Sequence, residues 1–137
     1  MRMTRLQAGS WSVLFTLVGG AIMAYLLTTV SPRLPDGNVN QPLVMLLLVG
    51  LLLGMTGLAA AIALALHRRY PGLGGGNRTR PPRPSVALRQ GFLFACAILA
   101  NALLVFFQVF DVIFLVATPL LAGLLEAYLQ HRPTRRL

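Results

Sequence analysis

Long apolar runs separated by short arginine-bearing segments restrict what this chain can fold into. Residues 11–30 form an apolar run of twenty residues. As an α-helix this run would be about 30 Å long, which matches the hydrocarbon core of a bilayer. A second apolar run covers residues 42–66 and a third covers residues 91–130. Because apolar segments of this length are typical of membrane spans, the sequence predicts an integral membrane protein.

The composition supports the same class of protein. Hydrophobic residues make up 56% of the 137 residues and charged residues only 11%, whereas a soluble domain carries about 25% charged residues. The chain therefore has too few polar side chains to cover an aqueous surface. Its length suits one transmembrane domain that spans residues 1–137.

The third apolar run is too long for a single span. Its forty residues would form a helix about 60 Å long, which is twice the bilayer core. The polar segment from Gln108 to Asp111 interrupts the run near its middle, and Asp111 suits the N-cap of a further helix. Ser85 suits the N-cap of the helix before it. We therefore predict an all-α fold with helices over about residues 11–30, 42–66, 86–108 and 111–130, and an Arg/Gly/Pro-rich loop over 67–85.

The first run also admits interpretation as a cleaved signal peptide. It is long for a signal-peptide core, and no A-x-A cleavage site follows it, so we favour a retained helix. Trp11 stands at its start, where an interfacial aromatic side chain is expected.

The arginines predict the orientation of the chain. In a four-span arrangement eleven of the twelve arginines fall in the two terminal segments and the central loop, and Arg33 alone falls on the other side. The positive-inside rule then predicts two helical hairpins with both termini cytoplasmic, in the inner (plasma) membrane as a multi-pass protein. The net charge of +9 does not indicate nucleic-acid binding, because the arginines lie in short segments between spans. Anionic lipid headgroups at the cytoplasmic face are the expected partners.

Small residues recur at helical spacing in the first two spans, and small faces let helix backbones approach closely in lipid. Gly50 and Gly54 form a GxxxG motif. The residues that we expect to pack within the first hairpin are Gly20, Ala24, Gly50, Gly54, Gly57 and Ala61.

Polar side chains mark the second hairpin. Asn101 and Thr118 lie level if the turn centres near residues 109–110, and we expect them to bond across the hairpin. Glu126 is the single carboxylate inside a predicted span. One interpretation is a proton or cation site, since intramembrane ionisable residues are functional candidates. The other, which its shallow depth favours, is a structural charge that snorkels to the interface or pairs with Arg89.

The sequence offers no pattern for catalysis or for a cofactor. The glycine-rich segment 72–76 lacks the GK[ST] of a phosphate-binding loop, and Cys96 has no second cysteine for a disulfide or metal site. We therefore expect no enzyme activity, no cofactor and no metal.

From about residue 56 onward, the chain resembles small four-span bacterial membrane proteins of unknown function. The resemblance rests on the segments 56–58, 66–70 (LHRRY), 88–90 (LRQ) and 124–129 (LLEAYL). The turn at residues 108–111 departs from it, because such proteins carry a tryptophan-rich turn there. The resemblance implies the four-span topology and no activity.

We expect a non-enzymatic accessory or scaffold subunit that packs against other membrane proteins or against itself. The alternative is a small homodimeric transporter that uses Glu126, similar to small multidrug-resistance proteins, although those carry a carboxylate in the first helix and this chain does not. A holin-like pore former is a third possibility.

Overall fold

The computed structural model describes residues 4–31, 33–76 and 82–131. This part of the chain forms four α-helices and one short 3₁₀ turn, Pro71–Gly74. The helices are α1 (Arg5–Thr29), α2 (Gln41–Arg69), α3 (Pro84–Phe106) and α4 (Val112–His131). Each is long and apolar enough to cross a membrane, which confirms the prediction of an all-α chain with four apolar helices and fits a multi-pass membrane protein.

Helix α1 begins at Arg5 rather than near Trp11 because a capping box closes its first turn. The hydroxyl of Thr4 accepts a hydrogen bond from the backbone N–H of Gln7 at 3.3 Å, and the Gln7 side chain accepts one from the Thr4 N–H at 2.9 Å. The Thr-x-x-Gln spacing that produces this cap is visible in the sequence. It extends the helix into a polar segment that hydropathy alone assigns to a tail.

The central connection also differs from the prediction at both ends. Helix α2 continues to Arg69, with three basic side chains in its last turn, where cations offset the negative end of the helix dipole. Helix α3 begins at Pro84, and its N-cap is Arg83 rather than Ser85. Proline is favoured at the first helical position because its fixed φ suits the helix and because an N–H there would have no partner within the helix.

The break in the third apolar run covers the predicted segment, Gln108 to Asp111, and one residue before it. Helix α3 ends at Phe106 and α4 begins at Val112. Gln108 takes a left-handed conformation with φ of 58°, which reverses the chain although no glycine is present. The Asp111 carboxylate accepts a hydrogen bond from the backbone N–H of Ile113 at 3.5 Å, at the start of α4.

Helices α1 and α2 meet through their backbones. A methyl group added at Gly19 would overlap the backbone nitrogen of Gly54, and one at Gly57 would overlap the carbonyl oxygen of Ser12. Ser12 of α1 faces Gly57 of α2, and Gly19, later in α1, faces Gly54, earlier in α2. The two helices are therefore antiparallel. Glycine is required at Gly19 and Gly57 because the opposing backbone occupies the space of a side chain.

The predicted packing set needs correction at three positions. Gly20, Ala24 and Ala61 are exposed, and a methyl group on Gly20 would meet no atom within 4 Å. Gly19 and Ala60 are buried instead. A residue repeated every fourth position drifts by about 40° per step around a 3.6-residue helix, so the predicted stripe rotates out of the contact.

Helix α3 packs just as closely on a neighbouring face of α2. A methyl group on Gly91 would lie 2.7 Å from the carbonyl oxygen of Thr56 and 2.6 Å from the backbone nitrogen of Ala60. Gly91 belongs to a buried series of small residues that also includes Ala87 and Ala95. This contact was not predicted from the sequence, although small residues at a spacing of four are typical of close helix packing.

Helix α4 is held differently, because Glu126 is its single buried residue. Its contacts within the described chain are mainly with α3. The predictions for the proline-rich stretch from residue 78 and for the basic tail fall largely on residues 77–81 and 132–137, which lie outside the described residues.

Candidate functional site

The candidate functional site is a cluster of polar side chains around Glu126, which we call the Glu126 cluster. It consists of Arg89 and Gln90 from the start of α3, and Glu126 and Gln130 from the end of α4. The two residues of α4 are four positions apart and therefore lie on one helix face. The contact between α3 and α4 brings that face to Arg89.

Arg89 binds the carboxylate with two nitrogens. Its Nε donates to Glu126 Oε2 at 2.9 Å and its Nη2 donates to Oε1 at 2.8 Å. Paired, nearly parallel bonds of this kind are the strongest form of the arginine–carboxylate interaction. The guanidinium therefore fixes both the charge and the orientation of Glu126.

Two amides complete the coordination of the carboxylate. Gln130 donates to Glu126 Oε1 at 2.8 Å and Gln90 donates to the same oxygen at 3.3 Å. The Gln90 amide also donates to the carbonyl oxygen of Leu73 at 3.2 Å. The cluster thus connects α4, α3 and the 3₁₀ turn that follows α2.

The burial of the pair is uneven. The Glu126 side chain is 12% exposed and that of Arg89 is 36% exposed. A carboxylate removed from water needs a partner charge and filled hydrogen-bonding positions, and Glu126 has both. This arrangement suits a structural ion pair better than a carboxylate that exchanges a proton or binds a cation.

A cavity lies beside the cluster between α3 and α4, with a volume of about 190 Å³. Phe94 and Pro119 contribute apolar parts of its lining, and Gln90 and Glu126 contribute polar parts. The cavity is therefore an apolar recess whose one carboxylate is already paired.

A second polar contact joins α3 and α4 closer to the turn between them. The Asn101 amide donates to the hydroxyl of Thr118, and also to the carbonyl oxygen of Ala97 at 3.0 Å. Thr118 in turn donates to the carbonyl oxygen of Phe114 at 2.9 Å. Asn101 Oδ1 is buried without a hydrogen-bond partner among the described residues. The predicted residues Asn101 and Thr118 thus lie level, one on each helix.

A third polar group lies in the connection between α1 and α2. The Asn38 side chain donates to one oxygen of Asp36 at 2.9 Å, and the Asn38 backbone N–H donates to the other at 3.1 Å. These bonds lower the pKa of the exposed Asp36 carboxyl. Asp36 therefore stabilises its own turn and has no connection with the Glu126 cluster.

The sequence predicted the pairing of Arg89 with Glu126, but it did not predict that Gln90 and Gln130 would bind the same carboxylate. The spacing of four between Glu126 and Gln130 places them on one helix face and could have indicated their bond. The bond from Gln90 depends on the packing of α3 against α4, which the sequence does not show. Within residues 4–31, 33–76 and 82–131 no group of three His, Cys, Asp or Glu side chains is placed to hold a metal ion.

Comparison of the chain with protein-family models, with curated proteins and with solved structures finds no match.

Proposed function

We propose that this chain is an integral membrane protein that crosses the bilayer four times as two helical hairpins, with both termini in the cytoplasm. We propose further that it is a non-enzymatic accessory or scaffold subunit that packs against larger membrane proteins. The observation that carries this proposal is an exposed pair of small residues on α1. Gly20 and Ala24 lie one turn apart on a surface that no other part of the described chain covers.

Small residues four positions apart allow a second helix to approach closely in lipid, where packing drives helix association. The chain already uses this type of contact internally, at Ala87, Gly91 and Ala95 of α3. Gly20 and Ala24 offer the same surface facing outward. We infer that this surface receives a helix of a partner protein.

The distribution of arginines supports the proposed orientation. Arg5 and Arg68 line one cavity at the same end of the bundle, and Arg89 belongs to the same end through α3. Arg33 lies in the connection at the opposite end. Basic residues accumulate on the cytoplasmic side of membrane proteins, so we place the arginine-rich end inside.

The alternative function, a homodimeric transporter that uses Glu126, has one observation in its favour, which is the cavity beside the carboxylate. The hydrogen bonds to Arg89, Gln90 and Gln130 weigh against it, because a carrier carboxylate must release one partner to bind another. We therefore assign Glu126 a structural role.

The test of the partner surface is a mild-detergent pull-down of the tagged protein from native membranes, followed by mass spectrometry. We expect a stoichiometric larger membrane protein with the wild type and its loss with Gly20→Leu. Gly123→Leu is the matched control, since a methyl group on that exposed helix glycine also meets no atom within 4 Å. A homodimer without a larger partner would contradict the subunit proposal, and transport assays with Glu126→Gln would follow.

The orientation is tested with single cysteines in a Cys96→Ala background. Pro35→Cys and Gly72→Cys place exposed thiols in the connection after α1 and in the one after α2. We expect a membrane-impermeant maleimide to label residue 35 in intact cells and residue 72 only after permeabilisation. Equal labelling of residues 35 and 72 in intact cells would contradict the four-span arrangement.

A further inference from the structure

A small cavity lies where the start of α1, the end of α2 and the start of α3 meet. Its volume is about 60 Å³, and its lining includes Arg5, Gly9, His67, Arg68 and Pro84. Ligand pockets for drug-sized molecules are commonly about 300 Å³ or larger. The cavity therefore has room for one small group and not for a nucleotide or a cofactor.

The charges in this cavity are all of one sign. Arg5 and Arg68 are both cationic at neutral pH, and the chain carries only three acidic side chains to balance its basic residues. Of these, Glu126 is bound by Arg89, and Asp36 and Asp111 lie in the connections at the opposite end. No carboxylate side chain is thus left to neutralise the two arginines.

His67 is the buried polar group of the cavity. It is 7% exposed, and its ring makes no hydrogen bond with another described residue. His67 is thus the least exposed polar side chain that lines the cavity. A neutral imidazole has one N–H donor, which an oxygen in the cavity would accept.

The backbone adds to the positive potential. Helices α1 and α3 both begin at the cavity, and the N-terminus of a helix carries a positive partial charge. The N-cap of α3, Arg83, makes no side-chain hydrogen bond to the helix. The opposite partial charge at the end of α2 is offset by the basic side chains of its last turn.

We propose that this cavity binds a phosphate group, with the guanidinium groups of Arg5 and Arg68 as charged donors and His67 as the buried donor. Arginine is suited to phosphate because its planar fork donates two parallel hydrogen bonds. The phosphate belongs either to a lipid headgroup at the membrane surface or to free inorganic phosphate. This site is independent of the proposed subunit function and goes beyond a general attraction of basic segments to anionic lipid.

The test is a binding measurement on the purified full-length protein in detergent, by titration calorimetry. Inorganic phosphate and dioctanoyl phosphatidylglycerol are the two probes. Arg68→Gln removes a cavity arginine, and we expect it to weaken binding by about tenfold. Arg69→Gln is the matched control, because this neighbour changes the net charge equally but lies beside the Tyr70 ring, 6.0 Å from its centroid. We expect less than about a twofold effect from it.

A second variant tests the cavity without changing any charge. A methyl group on Gly9 would meet no atom within 4 Å, so Gly9→Leu can add a side chain to the cavity lining with the helix intact. We expect this variant to weaken binding as strongly as Arg68→Gln. Binding at wild-type strength by Gly9→Leu would overturn the location of the site.

The two probes distinguish the source of the phosphate. Loss of binding of both probes in Arg68→Gln supports a site that takes the phosphate group itself. Binding of the lipid alone by the wild type, lost in Arg68→Gln, supports a headgroup site. Equal weakening by Arg68→Gln and Arg69→Gln, or no saturable binding of either probe, would overturn the proposal.

Discussion

Helices α1 to α3 and helix α4 are held in place by different means. In the first three helices, the glycines at residues 19, 57 and 91 bring backbone against backbone, and no side chain fits between them. Helix α4 approaches α3 through polar side chains, with Arg89 bound to Glu126 near one end and Asn101 bound to Thr118 further along. Its apolar residues remain largely uncovered.

The difference shows two ways of joining helices when lipid surrounds them. Apolar side chains gain little by leaving lipid for protein, so close packing and hydrogen bonds provide the association. Backbone packing is sensitive to any added atom, because the opposing backbone has no freedom to move aside. Polar bonding is sensitive to loss of a partner, because the remaining group is left buried and unpaired.

The largest effect is expected at Gly19. Gly19→Ala adds a methyl group that overlaps the Gly54 backbone, so we expect a loss of about 3 kcal/mol in the free energy of unfolding. Gly54→Ala is the control, since its methyl group would lie 3.6 Å from Gly19, an ordinary contact. Denaturation in SDS–detergent mixtures measures both variants. Equal stability of the two would contradict the backbone contact described for α1 and α2.

Arg89 comes next in expected size. Arg89→Gln leaves the buried Glu126 without its charged partner, and we expect a loss of about 2 kcal/mol. Glu126→Gln tests the other side of the pair. If the two residues act together, the double variant is less destabilised than the sum of the single variants. Strict additivity in the same denaturation assay would show that the pair does not hold α4.

The turn between α3 and α4 is expected to gain from glycine. Gln108 has a positive φ, which costs a residue with a side chain about 1 kcal/mol. Gln108→Gly should therefore raise the free energy of unfolding by about 0.5–1 kcal/mol. Phe107→Gly is the control, since its φ is −83° and glycine there should only destabilise. Destabilisation by both variants would argue against this turn.

The smallest effect is expected at Thr118. Thr118→Val removes the hydroxyl that accepts from Asn101 while keeping the shape, and such intramembrane bonds average about 0.6 kcal/mol. Thr28→Val is the control, because the Thr28 hydroxyl donates to Ala24 within its own helix. If Thr28→Val lowers the free energy of unfolding as much as Thr118→Val does, the bond between Asn101 and Thr118 does not stabilise the contact between α3 and α4.

The four apolar helices were predictable because hydropathy and helix length alone determine them. The break near Gln108 was predictable for the same reason, since one helix would be twice the bilayer thickness. The contact register was not. A spacing of four fits both Gly20 and Gly91, yet Gly20 faces outward and Gly91 meets α2.

The candidate site was predictable in part. Arg89 and Glu126 were recognisable because charges are rare in these spans. The contributions of Gln90 and of the Leu73 carbonyl depend on how α3, α4 and the 3₁₀ turn pack together. Glutamines near helix ends are common, so no local pattern distinguishes these from others.

The most direct test of this comparison uses two probes in one SDS unfolding experiment. The fluorescence of Trp11, the single tryptophan, reports on α1, and a spin label on Gly123→Cys in a Cys96→Ala background reports on α4. If α4 is held mainly by its polar contacts, its label becomes mobile at a lower SDS fraction than the Trp11 transition. Coincident transitions would indicate one cooperative unit and would contradict the account.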